Sequence, residues 1–333
     1  MDFGYIPESM LAEVDFGLPA DPSINALVLD GKRVASPQLF LGTTRWTQAD
    51  WVGNLYPARA KPADFLRYYS EQFNCIELNA THYKIYDAET LSKWGAMVAG
   101  TPEFQFCAKL YQGISHRGTL KGKEAMTREF VAGLKGLMGP RGAAVPVFIQ
   151  LSENFGPARQ VELLEYLSAL PGVGQGLEAA RAEPAAAGGN LALVNSRMRW
   201  LVELRHPDWF NKPSVTGHVF SAFNKLGIGA VITDVAGRRD VCHMQLPAKH
   251  TMIRFVGNQL HATDYQRLEA WAQRLANWFD AGLEQAYFIL HMGDDAVVPA
   301  FAVEAARILS SATGIHLPTP VLHESGPSQG SLF

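Results

Sequence analysis

Short runs rich in β-branched and aromatic residues alternate along this chain with amphipathic helical stretches, and that alternation fixes most of what it can fold into. Strands are expected at Gln38–Thr43, Cys75–Leu78, Phe104–Lys109, Val145–Leu151, Arg199–Leu204, Gly229–Thr233, Thr251–Phe255 and Ala286–Leu290. Helices are expected at Pro62–Gln72, Ala88–Val98, Lys123–Met138, Arg159–Leu170, Ser214–Leu226, Asp264–Phe279 and Pro299–Ser310. In Asp264–Phe279, Tyr265, Leu268, Trp271, Leu275 and Trp278 share one face. Eight strands alternating with helices imply parallel strands, because a parallel neighbour needs a crossover. An open doubly wound sheet and a closed barrel both satisfy this. The count of eight favours a single (β/α)8 TIM-like barrel of the α/β class. The turn after the first strand, GTTRWTQAD, is not a glycine-rich dinucleotide turn, which argues against the open sheet.

The barrel is placed at residues 37–316, after an irregular N-terminal extension (1–36) and before a flexible tail (317–333). The Gly-, Ala- and Pro-rich stretch 171–190 reads as a surface insertion. A hydrophobic share of 47% with 18% charged residues is globular, with enough apolar material for a core. The net charge of −3 gives no global basic field, so direct nucleic-acid binding is not indicated. Three cysteines, an odd number, argue against a disulfide framework. Cys75 and Cys107 sit in apolar runs and read as buried thiols, which fits a reducing cytoplasm. The N-terminus lacks the basic start and apolar core of a signal peptide. No apolar run approaches the ~20 residues that a membrane span needs.

Active sites of such barrels lie at the C-terminal ends of the strands. In order, those ends carry Arg45 and Trp46, then Glu77 and Asn79, Lys109, Gln150, Glu203 with Arg205 and His206, Asp234, Arg254, and His291. In RWLVELRHPDW, Leu201, Glu203 and Arg205 share one strand face, opposite Trp200, Val202 and Leu204. The carboxylate and guanidinium therefore point the same way, with His206 beside them. Glu203, His206, Glu77 and His116 are candidate acid/base groups. Lys109, Arg205, Arg254, Trp46, Asn79, Tyr83 and Asp234 are candidate ligand-binding groups. The plainer readings are a structural ion pair for Glu203 and Arg205, a solvated strand end for Lys109, and a helix cap for Asp234. Trp46 and Trp51, in the first loop, could wall a ring or sugar. Trp94, Trp271 and Trp278 sit at helical spacing and read as core. No metal signature is present, so no cofactor is expected. Glu77, His116, Glu203, His206, Asp234 and His291 could still converge on a divalent ion from separate strands. The excess of Arg and Lys at the strand ends favours a small anionic or sugar-like ligand.

At these residues the chain resembles the DUF72 family. The resemblance rests on LGTTRWTQADWVGNLYP, YYSEQFNCIELNATHYKIY, FQFCAKLYQGISH, VFIQLSENF, VELRHPDWF and MIRFVGN, in order, from about Phe40 to Leu309. It implies a TIM-like barrel and no particular reaction. It carries over to Trp46, Glu77, Asn79, Tyr83, Lys109, His116, Glu203, Arg205, His206, Trp209 and Arg254. The chain departs from the family pattern at Thr81-His82-Tyr83, where Thr-Phe-Tyr is usual, and at Phe255-Val256-Gly257, where Phe-His-Gly is usual. It departs again at Leu290-His291, where paired asparagines are common.

The last five residues, Gln329-Gly330-Ser331-Leu332-Phe333, resemble the bacterial sliding-clamp binding pentapeptide. Gln329, Leu332 and Phe333 would be the contacting residues of a tethered linear motif. Three functions stay open at this level. The first is an enzyme of acid/base chemistry on a small anionic or sugar-like ligand. The second is a DNA-repair or replication hydrolase or nuclease recruited by the tail. The third is a non-catalytic binding barrel.

Overall fold

Residues 3–138, 145–173 and 198–323 are described in a computed structural model. Eight strands close into one barrel in sequence order. They are β1 (Gln38–Thr43), β2 (Cys75–Leu78), β3 (Gln105–Lys109), β4 (Val145–Gln150), β5 (Met198–Glu203), β6 (Gly229–Asp234), β7 (His250–Val256) and β8 (Gln285–His291). Every neighbouring pair is parallel, including β1 with β8. The fold is therefore the (β/α)8 barrel that the alternation implies. β1 approaches β2 so closely that a Cβ on Gly42 would lie 2.2 Å from the Cys75 carbonyl oxygen, which requires glycine there.

Because side chains alternate across a strand, each strand contributes every second residue to the interior. Phe40, Cys75, Cys107, Phe148, Leu201, Val231, Met252, Tyr287 and Ile289 form the apolar fill of the barrel. Two residues further along seven of these strands stand Glu77, Lys109, Gln150, Glu203, Thr233, Arg254 and His291, all buried. A polar layer thus lies directly on an apolar one. All three cysteines are free and buried, and Cys75 and Cys107 serve as small hydrophobes of the fill.

The other strand face packs under helices, which include α1 (Ser23–Val28), α2 (Phe65–Gln72), α3 (Ala88–Met97), α4 (Glu124–Leu134), α5 (Gln160–Ser168), α6 (Pro213–Leu226), α7 (Ala262–Asp280) and α8 (Val298–Thr313). α7 is the long amphipathic helix whose periodicity is clearest in the sequence. Asp295–Thr313, which contains α8, is long and apolar enough by composition to cross a membrane. Here it is barrel wall, burying Phe301, Ala305 and Leu309 against α7 and β8.

The sixth strand–helix pair is incomplete. Between β6 and β7 stands only a 3-10 turn, Arg239–Val241. The N-terminal segment supplies the missing cover. α1 packs on α6, and Asn25 brackets the β6–β7 connection, donating to the Met244 carbonyl (3.0 Å) and accepting from the Leu246 N–H (2.9 Å). Asp21 accepts from Arg274 (2.7 Å) and from the Trp278 indole (3.0 Å) on α7. Of the stretch 171–190, residues 174–190 lie outside the described residues.

Asn25→Ala should lower stability by about 1–3 kcal/mol, because it strands two backbone groups that are buried together. A thermal or urea melt checks this. An unchanged midpoint would mean that the N-terminal segment is not part of the cooperative unit.

Candidate functional site

Arg254 occupies the centre of the polar layer and is fully buried. Its Nε and Nη2 donate to the two oxygens of Glu77 at 2.9 and 3.1 Å. Its Nη1 donates to both oxygens of Glu203 at 3.1 and 3.2 Å. Glu203 also accepts from Arg205 Nε (2.7 Å), Gln150 (2.8 Å) and Thr233 (3.0 Å). Glu77 also accepts from Asn79 (3.0 Å) and meets His291 Nε2 at 3.0 Å. Burial alone would raise both carboxyls. For Glu77, Arg254 and then His291 outweigh burial and hold it well below the carboxylate range. For Glu203, Arg205 and Arg254 do the same. Both are saturated anions of the barrel floor.

Lys109 ends β3 at 6% exposure. The carboxylates nearest to it in charge, Glu77 and Glu203, are taken by the arginines. Among the described residues its amine has no ion-pair partner. Burial, then Arg254, push this amine down to about 8. The buried His82 stays neutral, pushed down to about 4 by burial and then by Lys109, with its Nδ1 on the Leu110 carbonyl at 2.8 Å.

Above this floor opens a cavity of about 760 Å³. Lys109, Asn79 and His291 reach it from the polar layer. One wall is aromatic: the half-buried Trp46 and Trp94 meet edge to face at 5.5 Å, with Tyr86 tilted 5.2 Å from Trp94 and the exposed Tyr83 alongside. The loop after β7 also lines it, and there Gln259 and Leu260 take left-handed backbone angles (φ 58° and 64°). Gln259 accepts there from the Asp294 N–H at 3.1 Å. The N-terminal residues Phe3, Gly4, Tyr5, Ile6, Glu8 and Leu11 close over the mouth. Phe3 stacks 4.2 Å over the Arg205 guanidinium, and Gly4 accepts from the Gly237 N–H at 2.8 Å.

The candidate residues divide in three. Lys109, Asn79, Trp46, Tyr83 and His291 line the cavity. Glu77, Glu203, Arg205 and Arg254 lie in the layer beneath or beside it. Asp234 and His206 are placed elsewhere, and His116 lies outside the cavity lining but close enough to feel the charge of Lys109. Asp234 has the outward parity and sits between barrel and α7, accepting from Arg267 (3.1 Å) and the Trp271 indole (2.8 Å) and paired with Arg239. His206 caps the turn Pro207–Trp209, accepting from the Asp208 N–H at 3.1 Å. His116 is on an exposed loop, with its Nδ1 2.8 Å from the Ser115 hydroxyl and its ring edge-on to His82. The six carboxylate and imidazole groups weighed as one metal set therefore do not converge. Among the described residues no three such side chains form a metal-binding group.

Trp51 and Trp209 are fully buried and hydrogen-bond to the Asp295 and Phe155 carbonyls, so they are loop packing. Trp271 and Trp278 are core as expected, and Trp94 packs half-buried against the core while also lining the cavity. Sequence reasoning missed Trp94, Tyr86, Gln259 and the whole N-terminal cover. Only the spacing of Trp94 from Tyr86 on either side of the α3 start hinted at a shared surface.

The fold and this mouth define a TIM-barrel protein with a cavity at the C-terminal strand ends. The chain belongs to the DUF72 family, described as "Protein of unknown function DUF72", whose match covers residues 40–323. It is 26% identical over 313 residues to the UPF0759 protein YecE of Escherichia coli (strain K12), covering 89% of this chain and 100% of that one. Over 115 residues it is 33% identical to the UPF0759 protein YunF of Bacillus subtilis (strain 168), covering 33% of this chain and 39% of that one. A crystal structure of a DUF72 family protein from Enterococcus faecalis V583 superposes with a TM-score of 0.58 at 16% identity, covering 85% and 99% of the two chains. One from Thermotoga maritima MSB8 superposes with a TM-score of 0.52 at 18% identity, covering 76% and 92%. These structures share the fold.

Arg254→Met leaves two buried carboxylates without their common cation and should cost about 3–5 kcal/mol at neutral pH. Both folded-state carboxyls lie below their unfolded values. Their contribution is therefore complete above the ordinary glutamate value of about 4.3 and is lost as pH falls further. Denaturant melts of wild type and variant should converge in acid. A gap that persists unchanged below about pH 3 would contradict the ion-pair origin.

Proposed function

We propose that this barrel is an enzyme that binds a small anionic or sugar-like ligand at its C-terminal mouth and acts on it by acid/base chemistry. One observation carries the proposal: an amine that is buried, open to the cavity and without an ion-pair partner among the described residues. Lysine is almost never buried without a partner, and a value near 8 lets Lys109 exchange its proton close to neutrality. His291, which lines the cavity and leans on Glu77, is the second proton carrier. The wall of Trp46, Trp94 and Tyr86 takes the flat face of a ring. Glu77 and Glu203 hold Arg254 and shape the floor, because saturated low-pKa carboxylates are weak bases.

A thermal-shift screen of phosphorylated and carboxylated sugars tests the reading. At least one compound should stabilise the wild type, with affinity falling about tenfold or more in Lys109→Met, as expected for loss of a charge-assisted contact. Trp94→Ala should weaken it too. Ligands that bind wild type and both variants equally would overturn the assignment of the cavity.

The pentapeptide Gln329–Phe333 supports a second reading, recruitment to a bacterial sliding clamp, which would place the barrel in DNA repair or replication. It lies outside the described residues. A peptide of the last ten or so residues should bind purified clamp in a fluorescence-polarisation titration, and Leu332→Ala with Phe333→Ala should abolish that binding. Equal binding of both peptides would sink the reading.

A further inference from the structure

We propose that the Lys109 amine is a nucleophile that forms a covalent imine with the carbonyl group of a small aldehyde or ketone bound in the cavity. The inference rests on the ligand-binding reading above and narrows it to carbonyl compounds.

The geometry separates this lysine from an ordinary anion holder. Arg254 forks Glu77 and Glu203, and Arg205 takes the remaining side of Glu203. Among the described residues no carboxylate forms an ion pair with the amine, and Glu77 and Glu203 favour its charged form only without pairing with it. Burial and then Arg254 push the amine down, with Arg205 acting the same way, and together they outweigh the opposing pull of the arginine-bound Glu77 and Glu203. The neighbouring His82 and His116 are themselves pushed toward the neutral form. The ammonium also lies 5.8 Å from the Phe148 ring centroid, at the edge of the apolar fill. Desolvation beside cationic groups is the general means by which a lysine is kept unprotonated and nucleophilic. The amine nevertheless opens on a cavity lined by Asn79 and His291, polar groups able to hydrogen-bond a carbonyl oxygen. A stable buried ammonium would need the opposite arrangement, with a free carboxylate at the strand end.

The step balances without a redox partner. The neutral amine attacks the carbonyl carbon and forms a C–N bond, and the C=O π pair moves to oxygen, which takes a proton. The nitrogen loses one proton and the carbinolamine expels its oxygen as water, for which one further proton is consumed. The product is a protonated imine on Lys109 plus water. Its positive charge then acidifies the neighbouring carbon, which joins the imine to the proton-transfer chemistry of the site.

The test uses the intact protein with glyoxylate as the carbonyl probe and glycolate as its non-carbonyl counterpart. Cyanoborohydride reduces any imine to a stable secondary amine, and peptide mass spectrometry then locates it. At pH 8 a lysine near its midpoint has roughly a hundredfold larger neutral fraction than an ordinary one. Lys109 should therefore label at least about tenfold faster than the exposed Lys93 and Lys121, allowing for its lower basicity. Its labelling should saturate with glyoxylate and slow with added glycolate. Lys109→Met should lose this fast adduct and keep the slow surface labelling. Saturable glyoxylate binding without an adduct at Lys109 would overturn the imine and leave the ligand site standing. An adduct that neither saturates nor responds to glycolate would overturn the ligand site itself. Labelling of Lys109 no faster than that of Lys93 would refute the nucleophile.

Discussion

One guanidinium holds the mouth of this barrel together. Arg254 is fully buried on β7 and reaches β2 through Glu77 and β5 through Glu203. Two carboxylates buried within reach of one another would repel, and each would pay several kcal/mol to leave water. The shared cation removes the repulsion and fills their hydrogen-bonding sites, and Arg205, Gln150, Thr233, Asn79 and His291 fill those that remain. The consequence falls on Lys109. With both anions held by arginines, the lysine of β3 is buried without an ion-pair partner among the described residues, and burial and then Arg254 push its amine down to about 8. The reactivity inferred for the site thus depends on an ion pair in which Lys109 has no part.

The layering that creates this arrangement is a consequence of period-two alternation. The residue two places after each inward apolar side chain must also point inward. So Cys75 leads to Glu77, Cys107 to Lys109, Leu201 to Glu203, Met252 to Arg254 and Ile289 to His291. Much of this was legible in the sequence. The strand positions, the barrel and the shared face of Leu201, Glu203 and Arg205 follow from pattern alone. The same parity also separates Asp234 from the site, since it adjoins the inward Thr233. Reading strand ends as one undivided ring loses that distinction. His206 and His116 sit beyond the strands on loops, where no periodicity governs direction.

What could not be read lies in contacts between distant segments. Nothing in residues 1–36 announces that α1 replaces the missing sixth helix, because the partners of Asn25 are more than two hundred residues away. The same holds for Phe3 over Arg205. Helical spacing assigned Trp94 to the core, and it does pack half-buried against the core, but it also lines the cavity, which spacing alone does not show. The departures from the family pattern gain meaning in place. Val256 lines the cavity with an apolar surface, and His291 puts a titratable ring against Glu77 on the floor. This mouth therefore has an imidazole against Glu77 on its floor.

The central claim is that Lys109 is kept largely unpaired and desolvated by the Arg254 clamp. Following the ε-carbon NMR shift of Lys109 through a pH titration of lysine-labelled protein, with Lys109→Arg to assign the signal, measures this directly. The account predicts a midpoint of about 8, well separated from the surface lysines. A midpoint with the bulk, near the ordinary value of about 10.4, would show a solvated or paired ammonium and would contradict it.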